Sequence, residues 1–378
     1  MARMQDTALT SLIDRIRAAA AARTPLRIRG GGTKDFHGLA LHGDVLDIRD
    51  LAGILSYEPS ELVVTVRAGT PLAELEAALA EKGQCLPFEP PRLTTGGTVG
   101  GMVAAGWSGP ARASVGAVRD YVLGVSMVNG KGELLTFGGQ VMKNVAGYDV
   151  SRLMVGAWGT LGVLTEISLK VLPVAPAEAT LRFECDQATA LHQLQVWGGK
   201  PLPLNASCWV VDEGEGTLYV RLRGAAAAVE AACASMPLDF PGTRQDNAAV
   251  AADWDACRDH RLPWFAGRTA KPDMALWRLS VPATAPALQL PAGADTLVEW
   301  HGALRWVQAP VQHGNALRDA ARQVGGSASL FIASESCSTK ACGGFDLKNH
   351  AQEQIHTRLK HSFDPQGILN PGRMAAQW

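Results

Sequence analysis

The sequence has few of the patterns by which a ligand-binding chain usually declares its ligand. Its seven cysteines, at 85, 185, 208, 233, 257, 337 and 342, are odd in number and dispersed, which makes a poor disulfide framework. Only Cys337 and Cys342 are close in sequence, flanked by Ser336, Ser338 and Lys340, and no Cys-x-x-Cys run occurs. That excludes an iron–sulfur cluster of the usual kind. All seven are expected to be reduced, non-ligating thiols, and no metal site is expected. An excess of either charge is also missing: 35 basic residues face 36 acidic ones. Such a balance gives no electrostatic case for nucleic acid or for an anionic membrane surface. No apolar run approaches the roughly eighteen residues of a membrane span. Asp6, Asp14 and Arg15 interrupt the first residues, so no secretory signal is read there. A soluble, cytoplasmic protein is expected, and 378 residues are enough for two domains with sizeable cores.

The common nucleotide fingerprints are absent as well. There is no Gly-x-Gly-x-x-Gly; the nearest run, Gly156-Ala157-Trp158-Gly159-Thr160-Leu161-Gly162, has the wrong intervals. No Gly-x-x-x-x-Gly-Lys-Ser/Thr loop occurs either. What the chain does have is two glycine-dense loops. Arg29-Gly30-Gly31-Gly32-Thr33 is the first, and Thr94-Thr95-Gly96-Gly97-Thr98-Val99-Gly100-Gly101 follows about sixty residues later. Glycine tolerates positive φ and lets another group approach the backbone. Successive exposed N–H groups form a concave anion site, to which the hydroxyls of Thr33, Thr94, Thr95 and Thr98 add donors. Two such loops point to a ligand with more than one phosphate; the plain alternative is a pair of tight turns.

Apolar periodicity predicts a helix over 7–22, strands at Leu26–Arg29, Val45–Ile48 and Leu62–Arg67, and a helix from Pro71 to Lys82 capped by Thr70 and stopped by Gly83. Thr98 is expected to cap a short helix through Ala105, whose N-terminus would face a diphosphate. A hairpin is read at Val122–Val128 and Glu133–Phe137 around Asn129-Gly130. A helix at Tyr148–Val155 and a strand at Val163–Val171 follow. Pro173 and Pro176 mark the first boundary. Beyond it come strand Thr180–Glu184, helix Gln187–Val196, strands Ser207–Val211 and Thr217–Arg223, and helix Ala225–Ala234. A second set comprises Leu276–Val281, Leu297–Trp300, Ala303–Val307, helix Val311–Val324 and strand Ala328–Ile332. These read as two similar α+β units, each an antiparallel sheet with helices on one face. Residues 349–363 read as a helical tail.

Taken in order, the two glycine loops, Ser108-Gly109-Pro110-x-Arg112, Gly116 to Val125, Asn129-Gly130-Lys131-Gly132 and Gly159 to Glu166 resemble the PCMH-type, or vanillyl-alcohol-oxidase-type, FAD-binding family. The run Lys143-Asn144-Val145-Ala146-Gly147-Tyr148-Asp149 and the closing Ile368-Leu369-Asn370-Pro371-Gly372-Arg373 are most similar to the E-type FAD-binding subunits of bacterial glycolate oxidases. The resemblance covers residues 20–175 and the last dozen. It implies an α+β protein: a PCMH-type FAD-binding domain of two α/β subdomains over 1–173, a second α+β domain with an antiparallel sheet over 174–333, and a tail, 334–378, returning to the first. It carries cofactor contact onto Arg29, Gly30, Gly31, Gly32, Thr33, Thr94, Thr95, Gly96, Gly97, Thr98, Gly100, Gly101, Ser108, Gly109, Gly159, Thr160, Gly162, Val163 and Asn370. Relatives that attach FAD covalently use a His in the first loop or a Cys near Ser108–Gly116. Here the loop ends Gly32-Thr33-Lys34, His37 lies past it, and no cysteine occurs between Cys85 and Cys185, so noncovalent FAD is expected.

The resemblance further implies oxidation of glycolate to glyoxylate, with electrons leaving through partners: a catalytic flavin subunit and an iron–sulfur subunit, with the membrane reached only through that complex. One departure stands out. The His-x-Gly-Asp-Gly-Asn-x-x-His type of motif that gives related 2-hydroxy-acid dehydrogenases their metal and base is absent, and His350, His356 and His361 sit on the tail. No catalytic residue is assigned. The second domain is rich in tryptophan (Trp254, Trp264, Trp277, Trp300, Trp306) interleaved with His260, Arg261, Arg278, His301 and Arg305. This is either an arginine-anchored pocket suited to a small carboxylate, or core and subunit interface. A free-standing 2-hydroxy-acid dehydrogenase and a flavin-binding scaffold without its own substrate remain the alternatives.

Overall fold

The computed structural model describes residues 6–39, 41–139, 149–267, 273–334, 345–346, 350–375 and 377–378. The run 143–148 and the pair Cys337 and Cys342 lie outside the described residues. The chain divides into two units. One comprises Met1–Trp107, Ala117–Pro173 and Leu347–Trp378; the other comprises Ser108–Gly116 and Val174–Asp346.

The first unit begins with the helix Thr7–Ala22, started by the Asp6 carboxylate accepting from the Leu9 N–H and ended by Arg23 in the left-handed region. Its Leu12, Ile16 and Ala19 turn inward at helical spacing. The strand Leu26–Arg29 pairs in parallel with Asp44–Asp47. A five-stranded antiparallel sheet runs in the spatial order Ile54–Glu58, Val63–Arg67, Val163–Lys170, Val122–Val128, Leu134–Gly138. Val64, Val66, Met127, Ile167 and Leu169 are fully buried in it, against Leu75, Leu79 and Val103 from two helices. Each such side chain contributes roughly 1.5–3 kcal/mol by leaving water.

Of two local expectations, the helix after Gly69 is corrected in its bounds and cap, and the hairpin forms where it was read. The helix predicted from Pro71 to Lys82 spans Leu72–Ala80, and its cap is Pro71. The Thr70 hydroxyl is turned away, donating to the Arg67 carbonyl at 2.7 Å. In the hairpin, Gly132 and not Gly130 takes positive φ, at 73°. Asn129 organises that turn, its Oδ1 accepting from the N–H groups of Lys131 and Glu133 at 2.9 and 3.0 Å. Gly130 is needed for another reason: a Cβ there would stand 2.4 Å from the Asp364 carboxylate of the tail.

The tail closes this unit. The helix His350–Phe363 buries Lys360, whose Nζ donates to the Thr160 carbonyl at 2.9 Å, the Leu369 carbonyl at 2.7 Å and Asp364 at 2.6 Å. Three acceptors satisfy all three ammonium protons, which is what lets a charged pair survive without water. Beyond it, the Leu26 N–H donates to the Ile368 carbonyl at 2.7 Å and the Asn370 N–H to the Leu26 carbonyl at 2.9 Å.

In the second unit the sequence pattern predicts two separate small sheets. The structure fuses them into one antiparallel sheet of eight strands, in the order Thr243–Arg244, Ala177–Glu184, Glu215–Gly224, Leu204–Asp212, Asp295–Glu299, Leu304–Pro310, Met274–Ser280, Ser327–Ile332. The join is short, pairing Cys208 with Glu299 and Trp209 with Val298. The helices Gln187–Gly198 and Ala226–Asp239 pack on one half and Gly314–Gln323 on the other. The helix Asn247–Arg258, absent from the sequence reading, buries Trp254 and Cys257.

Candidate functional site

The glycine loops of the first unit meet each other. The strand Leu26–Arg29 delivers Gly30–Lys34 over the turn that precedes the helix Val99–Ala105. A Cβ on Gly31 would lie 1.7 Å from the Gly96 carbonyl oxygen, and one on Gly30 would lie 2.4 Å from Thr98 Oγ1. Gly32 takes φ 69°, so the loop turns back at a conformation side chains resist. Around this contact a pocket is lined by Arg29 to Asp35, by Thr98, Gly100, Gly101, Ala104 and Ala105, and by Met154, Ala157, Trp158, Gly159 and Gly162. Ile28, Leu41, Ile48, Leu164, Asn370 and Arg373 complete it.

Among the sequence candidates, Arg29, Gly30, Gly31, Gly32, Thr33, Thr98, Gly100, Gly101, Gly159, Gly162 and Asn370 line this pocket. Gly96 lies directly beneath Gly31, and a Cβ on Gly97 would lie 3.9 Å from Thr33 Oγ1, an ordinary contact. Thr94 and Thr95 are exposed and outside the lining. Thr160 and Val163 lie behind the wall: the Thr160 hydroxyl donates to the Ala157 carbonyl at 2.7 Å, and Val163 is fully buried. Ser108 and Gly109 belong to the second unit, where the Gly109 carbonyl accepts from Trp300 Nε1 at 2.9 Å. Asn370, at φ 43°, is a staple. Its Oδ1 accepts from the Ile28 N–H at 2.8 Å and its Nδ2 donates to the Trp158 carbonyl at 2.7 Å.

The helix Val99–Ala105 departs from expectation. Thr98 caps it, accepting from Gly101 N–H at 3.1 Å, but the amides of Val99 and Gly100 donate to the Thr70 and Ala68 carbonyls at 2.9 and 2.7 Å. Its first turn has therefore no free N–H to offer a diphosphate. The first loop differs: among the described residues the amides of Gly31, Gly32 and Thr33 donate to no protein acceptor.

Two cations that the sequence reading did not single out face the pocket. Lys34 is half-buried, and among the described residues its ammonium has only Thr33 Oγ1, at 3.4 Å, as a hydrogen-bond partner; burial lowers its pKa to about 8. Arg373 donates through Nη2 to the Lys34 carbonyl at 2.7 Å and lies 4.9 Å over the Trp158 ring. Its Nη1 is buried with no partner among the described residues, and burial brings its pKa down to about 10 although Asp35 pulls the other way. Buried positive charge of this kind costs free energy until an anion arrives. The signal in the sequence was adjacency: Lys34 follows the first loop, and Arg373 closes the Asn370-Pro371-Gly372 turn. The floor is apolar, with Ile28, Leu41, Ile48, Ala104 and Met154. A ligand with both an anionic part and a flat apolar part fits this lining.

His37 does not reach for such a ligand. It is 4% exposed, with its ring 5.0 Å from that of Trp107 and 4.9 Å from that of Trp158. Among the described residues no group of three or more His, Cys, Asp or Glu is placed to hold a metal ion. The described cysteines Cys85, Cys185, Cys208, Cys233 and Cys257 are free thiols.

Comparison with known proteins places this arrangement. A family model described as an FAD binding domain matches residues 7–138. Over 367 residues, 97% of each chain, the sequence is 42% identical to glycolate oxidase subunit GlcE of Escherichia coli K12. The chain belongs to the GlcE family. As a member, it is an FAD-binding protein of the oxidoreductase class. Similarity to glycolate oxidase subunit GlcD of Bacillus subtilis is 34% over 161 residues, 42% of this chain and 34% of that one. In fold, 4-ethylphenol oxidase from Gulosibacter chungangensis superposes with a TM-score of 0.70 at 15% identity, covering 98% of this chain and 88% of that chain. The GlcE-family architecture is thus α+β, an FAD-binding unit followed by a unit built on an antiparallel sheet. No helix among the described residues is long and apolar enough to cross a membrane.

Proposed function

We propose that this chain is the FAD-carrying E subunit of a complex that oxidises glycolate to glyoxylate, working beside a catalytic flavin subunit and an iron–sulfur subunit. The observation that carries the FAD site is the convergence of Lys34 and Arg373 on a pocket whose glycine loop leaves its amides free. Lys34, Arg373 and the amides of Gly31–Thr33 would hold the diphosphate, and Ile28, Ala104, Ala105 and Met154 would receive the apolar part. FAD is held noncovalently, because His37 is enclosed by tryptophan rings and no thiol lines the pocket. FAD, once bound, supplies the acceptor for a hydride from the substrate carbon. The substrate and the partners rest on relatives named glycolate oxidase subunits, GlcE and GlcD. Any membrane contact is made through the complex.

What the chain contributes is binding, orientation and exclusion of water. No residue is assigned as general base: burial lowers the pKa of His260 to about 3 and that of His301 to about 4. The test is anaerobic addition of glycolate to the FAD-replete chain alone, and then to the chain assembled with the two partner subunits, while flavin absorbance is followed. Bleaching of this chain's flavin far faster in the assembly than in the chain alone is the expected result. A purified chain that cannot be loaded with FAD overturns the cofactor reading, and an assembly that glycolate does not reduce overturns the substrate.

A further inference from the structure

The helix Asn247–Arg258 covers a second pocket. In the sheet of the second unit Trp209, Leu218 and Val220 pack with the helices Gln187–Gly198 and Ala226–Asp239. Their chain neighbours Cys208, Val210 and Tyr219 therefore face the other way. On that opposite face, between the strands and the segment from Val250 to Trp264, lies a pocket of about 320 Å³. Small-molecule sites span roughly 300–1,000 Å³, so this one suits a ligand at the small end. Every described residue that lines it belongs to the second unit.

The walls are apolar and held in place. Val210 and Val211 come from the strand, Val250 and Trp254 from the helix, and Leu262 and Trp264 from the segment after it. Trp254 is 6% exposed, and its indole N–H donates to Thr180 Oγ1 at 2.9 Å. The Arg221 guanidinium lies 4.8 Å over the same ring. Trp264 meets the Phe265 ring edge-on at 5.1 Å, and its carbonyl accepts from Gln308 Nε2. Two indoles fixed in this way present flat apolar surface to another ring.

The charge at the pocket has one sign. Asp212 and Asp253 line it, and among the described residues no Lys, Arg or His does. Asp253 is exposed and makes no hydrogen bond or ion pair with any described residue. Asp212 Oδ2 accepts from the Tyr219 hydroxyl at 2.6 Å. Burial and that carboxylate push the Tyr219 pKa up to about 12, so the phenol keeps its proton and Asp212 its charge. Arg182, which also touches Tyr219, is paired with Glu184 at 3.0 Å. One guanidinium thus serves Glu184 and Asp212, and none serves Asp253.

We propose that this pocket binds a small aralkylamine. Its ring is received between the valines and the two indoles, and its ammonium stands at the mouth against Asp253 and Asp212. The inference draws on neither the flavin site nor the glycolate-oxidising role.

The experiment titrates the full-length, FAD-replete chain by ligand-observed NMR with phenethylamine, phenethyl alcohol and phenylacetate, which share a ring and differ in charge. Flavin absorbance and the thermal transition are recorded for every variant. The amine should bind, the alcohol should bind more weakly, and the acid should not bind. Asp253→Asn should weaken the amine by about three- to tenfold, the range for losing one charged partner at a pocket mouth. Asp253→Lys should reverse the preference, so that phenylacetate binds and phenethylamine does not. Val250→Trp should fill the pocket and abolish binding of all three with FAD content unchanged. Should Val250→Trp fail to fold, the two variants at the exposed Asp253 decide. A wild type that does not bind the amine overturns the proposal, as does one that binds phenylacetate equally well. A folded Val250→Trp that still binds the amine, or an Asp253→Lys with the wild-type preference, overturns it too.

Discussion

Gly31→Ala is expected to weaken FAD binding sharply, whereas Gly97→Ala, in the neighbouring loop, should be nearly silent. A methyl group on Gly31 would sit 1.7 Å from the Gly96 carbonyl oxygen and 2.5 Å from its carbon, about half of an ordinary contact. Neither partner is a flexible side chain that can swing aside, so the two loops must part. Forced overpacking of this kind costs about 1–3 kcal/mol. If the cost falls on the loop arrangement that receives the cofactor, the dissociation constant rises roughly 5- to 150-fold. At Gly97 the nearest atoms to a new Cβ are Thr33 Oγ1 and Cγ2, at 3.9 and 4.0 Å, and the change should stay within about twofold. Gly97→Asp is different again, because it places a carboxylate beside Thr33. Like charges about 4 Å apart repel by roughly 1 kcal/mol in water and about 4 kcal/mol at an effective dielectric of 20. Fluorescence titration of the apo chain with FAD ranks the three variants, and the thermal transition shows whether the rest of the unit is intact. Wild-type affinity in Gly31→Ala would refute the argument that contact between the loops shapes the site.

Lys34 gives a pH test: its pKa in the free chain is lowered to about 8, and a bound diphosphate raises it, so binding takes up a proton above that pH. FAD affinity should hold below pH 8 and decline as pH rises beyond it; Lys34→Gln should bind more weakly and lose that decline, and an unchanged pH profile in the variant removes Lys34 from the site. Lys360→Met strips Asp364, itself fully buried, of its counter-charge, a loss of about 3–5 kcal/mol. An early thermal transition accompanied by FAD release should report it, and a wild-type transition would deny the pair that role. Acid precipitation should leave all flavin in the supernatant, whereas flavin retained on the polypeptide would mean covalent attachment. In stopped flow, glycolate should reduce the isolated chain about 10²–10⁴-fold more slowly than the complex, the usual worth of general-base help; equal rates would place a base in this chain.

Where a feature follows from local chemistry, it was legible in the sequence. The first helix, the cap at Thr98 and the loop Gly30–Thr33 follow from periodicity, a hydroxyl and glycine density, and each stands where the pattern puts it. Thr70 shows the limit, since a threonine before a helix has other acceptors and this one chose Arg67 and Gly53. The helix Asn247–Arg258 escaped because it is alanine-rich and buries only Trp254 and Cys257, too narrow a stripe for a pattern search. Fusion of the second unit's sheet depends on two residue pairs far apart in sequence, and no window contains both. Trp277, Trp300 and Trp306 were ambiguous between pocket and core; all three are at most 2% exposed, yet Trp300 alone carries two guanidiniums. Lys34 and Arg373 illustrate the hardest case, because 339 positions separate them and only folding brings them together.

That separation bears on how the protein is made. Strand Leu26–Arg29 emerges early in synthesis, yet its edge is completed by Ile368 and Asn370 and the buried ammonium of Lys360 must arrive to seat Thr160 and Leu369. The flavin-receiving unit therefore cannot close until the segment from Lys360 to Asn370 has been made, after the whole of Val174–Asp346. A chain stopped before Lys360 would lack both the strand edge and the buried ammonium that complete the wall of this unit.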